Sequence, residues 1–264
     1  MGRLLLSRRR FVVRTAMSFG AIAVAGCDGL GRSPSFRGIL DSAESLTMRG
    51  QRLLLSGQAL AREYAAKDLS PLFRANGTSM PRDQEYQELL AGGFADWRLR
   101  VDGLVAQPAS YSLEELRKLP ARTQITRHDC VEGWSAIGGW TGVPLSLLLR
   151  AAGLKTEARY AVLHCADTLD GEPKKGGDER AGRYYESIDL VDAFHPQTIL
   201  AYALNGQPLP VENGAPLRLR VERQLGYKQA KYLMRIEITD RLDLIGDGRG
   251  GFWEDRGYEW YAGI

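Results

Sequence analysis

Cysteine is scarce in this chain of 264 residues: Cys27, Cys130 and Cys165 are all it has. Three thiols exclude a small scaffold stapled by several disulfides. No C-x-x-C-H run exists, which excludes covalent haem attachment. Long apolar runs are missing too; residues 17–25 are short and rich in small side chains, a poor membrane span. Clustered positive charge is confined to the start. The net charge is +3, but residues 1–26 carry Arg3, Arg8, Arg9, Arg10 and Arg14 and no acid. Removing those five charges leaves residues 27–264 at −2. A mildly acidic body lacks the basic footprint of a nucleic-acid binder.

What remains is ordinary for a globular protein, with 44% hydrophobic and 25% charged residues. The length allows one large core or two small ones. The most unusual stretch is residues 126–143, TRHDCVEGWSAIGGWTGV. Cys130 sits there between His128–Asp129 and a run holding Gly133, Gly138, Gly139 and Gly142. Glycine lets backbone approach a ligand closely, and Trp134 and Trp140 supply rigid apolar walls. The composition predicts a glycine-rich loop presenting a thiol to a pocket. A small buried hydrophobe is the other reading of such a cysteine. His128 either orients that loop or lies on the surface.

Around this centre the pattern predicts short elements. A surface helix is expected between Ser42 and Lys67, behind a flexible spacer that holds Gly31, Ser33, Pro34 and Ser35. Trp97 to Val101 alternates as a strand into an Asp102-Gly103 turn. Ser112-Leu113-Glu114-Glu115 is a capping box opening a helix that Pro120 stops. Pro144 suits the first turn of a helix ending at Gly153. Tyr160 to Leu163 reads as a buried strand delivering His164 and Cys165. Residues 169–182 are charged and glycine-rich, a loop over the site. Leu217 to Val221 alternates, with Arg218, Arg220 and Glu222 on the opposite face, a solvated one on the plain reading of the two arginines, and Ile236-Glu237-Ile238 alternates likewise.

The quoted motifs resemble the molybdenum-cofactor domain of the sulfite oxidase family. His128, Cys130, Val131, Glu132, Gly133 and Trp134 match H-x-C-V-E-G-W; Trp140, Gly142, Val143, Pro144 and Leu145 match W-x-G-V-P-L. Leu200 to Pro210 matches L-A-Y-x-x-N-G-x-x-L-P, and Phe73, Arg74, Ala75 and Asn76 resemble the opening F-x-R-N-H. The resemblance covers roughly residues 72–264. It implies an α+β fold of mixed sheets with surrounding short helices, and a molybdenum-molybdopterin cofactor whose metal takes Cys130 as ligand. A soft thiolate suits a dithiolene-bound metal. Asn76, Cys165, Asn213, Arg218, Gln229, Ala230 and Lys231 carry over as cofactor contacts, with Cys165 equally a buried structural thiol. Tyr202 carries over as a catalytic pocket tyrosine, or is a buried aromatic at a strand end. A Cys130–Cys165 disulfide would abolish the metal ligand and is not expected.

The first residues resemble a twin-arginine export signal, Ser7-Arg8-Arg9-Arg10-Phe11-Val12, running into a lipobox, Val24-Ala25-Gly26-Cys27. The domain plan is therefore a signal at 1–27, a linker and peripheral helix at 28–71, and the cofactor domain at 72–264. A periplasmic monomer is expected, anchored to the inner membrane if Cys27 is lipidated, exchanging electrons with a membrane cytochrome or other carrier. Two family arginines that hold dianionic sulfite are replaced here, by Ser135 and Ala75, unless Arg74, Arg127 or Arg183 compensates. The expected reaction is oxygen-atom transfer from a neutral S- or N-oxide. Sulfite oxidation, and a metal-free binding module on the same fold, stay open.

Overall fold

The computed structural model describes residues 34–169 and 182–264; the signal at 1–27 and the segment 170–181 lie outside the described residues. The chain divides into two compact units, Met1–Gln51 and Arg52–Ile264. The helix expected between Ser42 and Lys67 is α1, Pro34–Leu54, which begins within the expected spacer, at Pro34 and Ser35, and stops well short of Lys67. Among the described residues no helix is long and apolar enough to cross a membrane.

The second unit holds two five-stranded sheets. One runs β2 (Ala109–Ser112), β1 (Arg98–Gly103), β10 (Leu233–Thr239), β5 (Tyr160–Thr168), β6 (Arg183–Asp189). It is mixed, because β1 and β10 are parallel while the other pairs are antiparallel. The other runs β3 (Arg122–Asp129), β4 (Ser135–Pro144), β7 (Ile199–Leu204), β8 (Gln207–Pro208), with β9 (Arg218–Arg220) also on β7. Short helices α2 (Gln84–Ala91), α3 (Leu113–Lys118), α4 (Leu145–Ala152) and α5 (Leu190–Ala193) complete the expected α+β fold. The main core gathers Trp97, Leu99, Val143, Leu148, Val162, Leu200, Leu219 and Ile236, all essentially inaccessible.

Local chemistry accounts for several boundaries. Ser112 Oγ accepts from the Glu115 amide while Glu115 Oε2 accepts from the Ser112 amide, closing the capping box of α3. Gly153 ends α4 at φ 63°, a left-handed position glycine takes without a Cβ clash. Asn205 (φ 51°) and Gly206 (φ 76°) form the tight β7–β8 turn.

The stretch around Cys130 corrects the loop expectation. It is a β3–β4 hairpin whose irregular part is only residues 130–134. The glycines serve packing across the strand: a Cβ on Gly142 would sit 2.1 Å from the Leu200 carbonyl oxygen of β7, and one on Gly138 would meet the Phe73 ring at 2.9 Å. The β9 face is also corrected. Arg218 and Arg220 are fully buried and Glu222 nearly so, because partners on neighbouring elements replace water.

Candidate active site

The hairpin tip places Cys130. Its amide donates to the Trp134 carbonyl and its carbonyl accepts from the Gly133 amide, both at 3.0 Å, which fixes the turn. The thiol is 9% exposed, and burial pushes its proton affinity up. It opens into a cavity of about 180 Å³ also lined by Asn76, Thr78, Asp167, Gln229 and Lys231, with Tyr184, Tyr227, Trp253 and Tyr258 among its walls.

Beneath the tip lies a buried charge network. Arg220 makes a paired bond to Glu222, Nε to Oε1 at 2.9 Å and Nη2 to Oε2 at 2.6 Å, with both side chains inaccessible. Its remaining nitrogen donates to His128 Nδ1 at 3.0 Å, and Gln124 donates to Glu222 Oε1 at 2.8 Å. His128 is thus buried and oriented by Arg220, not exposed. Burial first, and Arg220 next, hold it neutral, so the proton resides on Nε2, which has no partner. That nitrogen packs so close to Gly226 that a Cβ there would lie 2.5 Å away. Arg218 and Arg220 stand over the Trp140 ring at 4.9 and 4.4 Å, a desolvated cation–π arrangement.

Arg218 is the unusual cation. It donates to the carbonyls of Asn213 and Gln229 at 2.9 and 3.2 Å, its Nε is unpartnered, and none of the described carboxylates forms an ion pair with it. Burial, then Arg220, depress it to about 9, which still leaves it charged at neutral pH. Such an uncompensated buried cation calls for an anion. Lys231 differs: its ammonium donates to the carbonyls of Asn76, Thr78 and Glu212 and so ties the 76–78 segment to the site. Tyr232, at a strained φ of 54°, donates to the Thr78 carbonyl at 2.8 Å and braces the same segment.

Buried polar atoms normally find partners, yet here a set of them does not. Asn76 Oδ1, His128 Nε2, Asp167 Oδ1, Asn213 Nδ2, Arg218 Nε and Gln229 Oε1 are all orphaned. Three of these residues, Asn76, Asp167 and Gln229, line the cavity, and Arg218 donates to the backbone carbonyl of Gln229. Donors, acceptors and one unneutralised cation together match a ligand with hydrogen-bonding ring edges and an anionic phosphate, as a pterin cofactor has. Among the described residues no three His, Cys, Asp or Glu side chains converge on a metal position. A metal at Cys130 would therefore draw its other ligands from a cofactor.

The structure brings Cys130, Asn76, Gln229 and Lys231 to this cavity, with Asn213, Arg218 and the buried Ala230 directly behind. It separates two expected residues. Tyr202 does not line the cavity: β7 turns it against the core, under Arg117 at 5.7 Å. Cys165 is 2% exposed on β5 and lines a different, larger cavity; both it and Cys130 are free thiols. Sequence reasoning missed Thr78, Asp167, Tyr184, Trp253 and Tyr258. Asp167 has no local signal, and the tail residues were legible only as aromatic content.

A mixed-sheet domain with a buried thiol at a hairpin tip, above unmet polar groups, fits a cofactor-dependent oxidoreductase site. Residues 88–243 match the family of the oxidoreductase molybdopterin binding domain, and the chain belongs to that family. It is a molybdopterin-dependent oxidoreductase of the sulfite oxidase-like type. An Azospira oryzae chain named as a protein-methionine-sulfoxide reductase subunit, YedZ1, is 36% identical over 97% of this chain and 88% of its own. The protein-methionine-sulfoxide reductase catalytic subunits MsrP of Ralstonia nicotianae and Xanthomonas campestris are 36% and 38% identical over 55% of this chain. Those alignments cover 44% and 46% of the two MsrP chains. The sulfane dehydrogenase SoxCD of Paracoccus pantotrophus aligns over 55% of this chain and 39% of its own, with 27% identity and a TM-score of 0.48.

Proposed function

We propose that this chain reduces a neutral sulfoxide by oxygen-atom transfer, taking electrons from a membrane partner. The observation that carries the reading is that no free cation lines the Cys130 cavity among the described residues. Among the described residues Lys231 is its only basic lining residue, and its ammonium is spent on three carbonyls. The arginines that could have compensated for Ser135 and Ala75 are elsewhere. Arg127 pairs with Asp129 at 2.9 Å, Arg183 pairs with Asp83, and Arg74 is exposed outside the lining set. Ser135 instead donates to Asp129 Oδ1. Sulfite, a dianion near neutral pH, would meet Glu132 and Asp167 there, and no free cation among the described lining residues offsets them. The relatives named as methionine-sulfoxide reductases support the same substrate class.

When bound, molybdenum-molybdopterin supplies the two-electron oxygen-atom transfer. Cys130, held by the 130–134 turn, would be its thiolate ligand. Asn76, Asn213, Gln229 and Arg218 would hold the pterin and its phosphate, with Lys231 fixing the segment that carries Asn76. The buried Arg220–Glu222 pair keeps His128 from turning away. Tyr184, whose hydroxyl donates to the Tyr227 carbonyl, closes one side against water. Reduction of the sulfoxide to a sulfide consumes a pair of electrons and a pair of protons and releases water.

An exported location is part of the same proposal, with residues 1–27 as signal and Cys27 as lipid site. Arg8→Lys with Arg9→Lys should hold the protein in the cytoplasm, as fractionation would show. The reaction itself is tested with purified holoenzyme run both ways: sulfoxides with reduced viologen, and sulfite with an artificial acceptor. Sulfoxide turnover without sulfite turnover is expected. Efficient sulfite oxidation with no sulfoxide reduction would overturn the reading.

A further inference from the structure

The Cys130 cavity has two chemical halves. Its polar side chains are those of Asn76, Thr78, Asp167, Gln229, Lys231 and, on the hairpin tip, Glu132; its apolar side is made by Tyr227, Trp253, Tyr258, Leu169 and Val131. Trp253 and Tyr258 stack with centroids 5.3 Å apart, and Tyr227 meets Tyr258 edge-on at 5.2 Å. Tyr258 is 41% and Val131 45% exposed, so this apolar side reaches solvent. Trp253 and Tyr258 come from the tail, beyond the family match that ends at residue 243.

The tail is rigidly held, so the rings form a fixed wall. Lys228, fully buried, bonds Glu254 at 2.6 Å and Glu186 at 2.5 Å, fastening the segment between Trp253 and Tyr258 to β6. The Leu225 amide donates to the Ala262 carbonyl at 2.9 Å, and the Tyr258 amide to the Trp253 carbonyl at 3.0 Å. A buried cation with two carboxylates is a costly way to place a tail unless its position matters.

We propose that the Tyr227–Trp253–Tyr258 wall recognises the apolar substituent of the substrate, selecting methyl sulfoxides that carry an extended alkyl or aryl group over small ones. This rests on the sulfoxide reading above. Soft, polarizable sulfur and its methyl group pack well on aromatic rings, which leaves the S=O oxygen for the Cys130 side of the same cavity. The solvent-reaching rim leaves room for a substituent that continues into a larger molecule.

The test compares methyl p-tolyl sulfoxide with dimethyl sulfoxide, using holoenzyme and reduced viologen. In Trp253→Ala and Tyr258→Ala the KM for the aryl substrate should rise about tenfold with kcat within about twofold, the signature of lost binding alone. The KM for dimethyl sulfoxide should stay within about threefold, and Tyr258→Phe, which keeps the ring, should recover most of the aryl KM lost in Tyr258→Ala. Molybdenum per chain, equal to wild type, shows that each variant is folded and loaded; Trp253→Leu replaces any variant that is not. Parallel KM changes for both substrates, or none, would overturn the wall while leaving sulfoxide reduction intact. A wild-type enzyme that reduces neither compound would overturn both.

Discussion

Two cavities share Tyr184 as a lining residue, and they differ in an instructive way. The larger, about 1040 Å³, runs over the charged face of β1, β10 and β5 and the turn near Gly246. Many of its polar groups pair with one another or with close neighbours: His164 with Glu237 at 2.9 Å, Arg235 with both Asp102 and Glu237, Arg183 with Asp83, and Asp255 with the Tyr185 hydroxyl. Among its described lining residues only Arg183 Nε is a buried orphan. The smaller cavity, about 180 Å³, has Asn76, Asp167 and Gln229 unmet in its lining and Arg218, Asn213 and His128 unmet behind it. Unmet polar valence, not volume, marks the place built for a ligand.

The comparison breaks most visibly at Cys130. Cys130→Ser should lower turnover by about a thousandfold or more, roughly 4 kcal/mol of barrier, while urea unfolding of the cofactor-free protein stays unchanged. Next comes Arg220→Ala. Removing one partner of a buried pair leaves Glu222 uncompensated and should cost about 3–5 kcal/mol of unfolding free energy. Arg235→Ala, on the partly exposed network of the larger cavity, should cost about 1 kcal/mol and leave molybdenum content unchanged. If the two variants were equally destabilised, the contrast between the cavities would fail.

Arg218→Met separates ligand holding from folding. It should reduce cofactor retention about tenfold, the loss of one charge-assisted bond, yet leave the cofactor-free protein no less stable, since an uncompensated charge is removed. Acid titration sharpens the contrast by sign. Burial raises the Asp167 carboxyl to about 6, against the pull of Lys231; in the other cavity His164 and Arg235 lower that of Glu237. A raised carboxyl contributes stability below its unfolded value that is lost as pH rises through about 6. A lowered one contributes stability above its unfolded value that is lost as pH falls below the ordinary carboxylate range. Measured against Asp167→Asn, wild-type cofactor-free protein should therefore weaken as pH rises from 4 to 7, by at most about 1.4 kcal/mol per pH unit. Measured against Glu237→Gln it should weaken as pH falls below the ordinary carboxylate range. Urea midpoints across pH read both. Smallest of all, Tyr202→Phe and Cys165→Ser should leave turnover within about twofold, since neither lines the Cys130 cavity.

Much of this architecture was legible from local pattern. The capping box at Ser112, the Gly153 stop, the strands through Val101, Val162 and Ile236, and the lone thiol all follow from rules acting over a few residues. The stretch around Cys130 misled because glycine frequency signals a loop, whereas Gly138 and Gly142 are there so that Phe73 and β7 can approach a strand. Arg218 and Arg220 misled for a related reason. Alternation says that two faces differ, but not that the charged face will be roofed by Trp140 and paired with Glu222. Asp167 and Trp253 reach the site only through tertiary contacts, so no short-range pattern could have announced them.

The central claim is that the Cys130 cavity holds molybdopterin with the Cys130 sulfur on the metal. X-ray absorption at the molybdenum edge, on wild type and Cys130→Ser loaded from the same cofactor-competent cells, tests it directly. The account predicts one sulfur fewer around molybdenum in the variant, with an oxygen in its place. An unchanged sulfur shell, or a wild-type protein with no molybdenum, would contradict it.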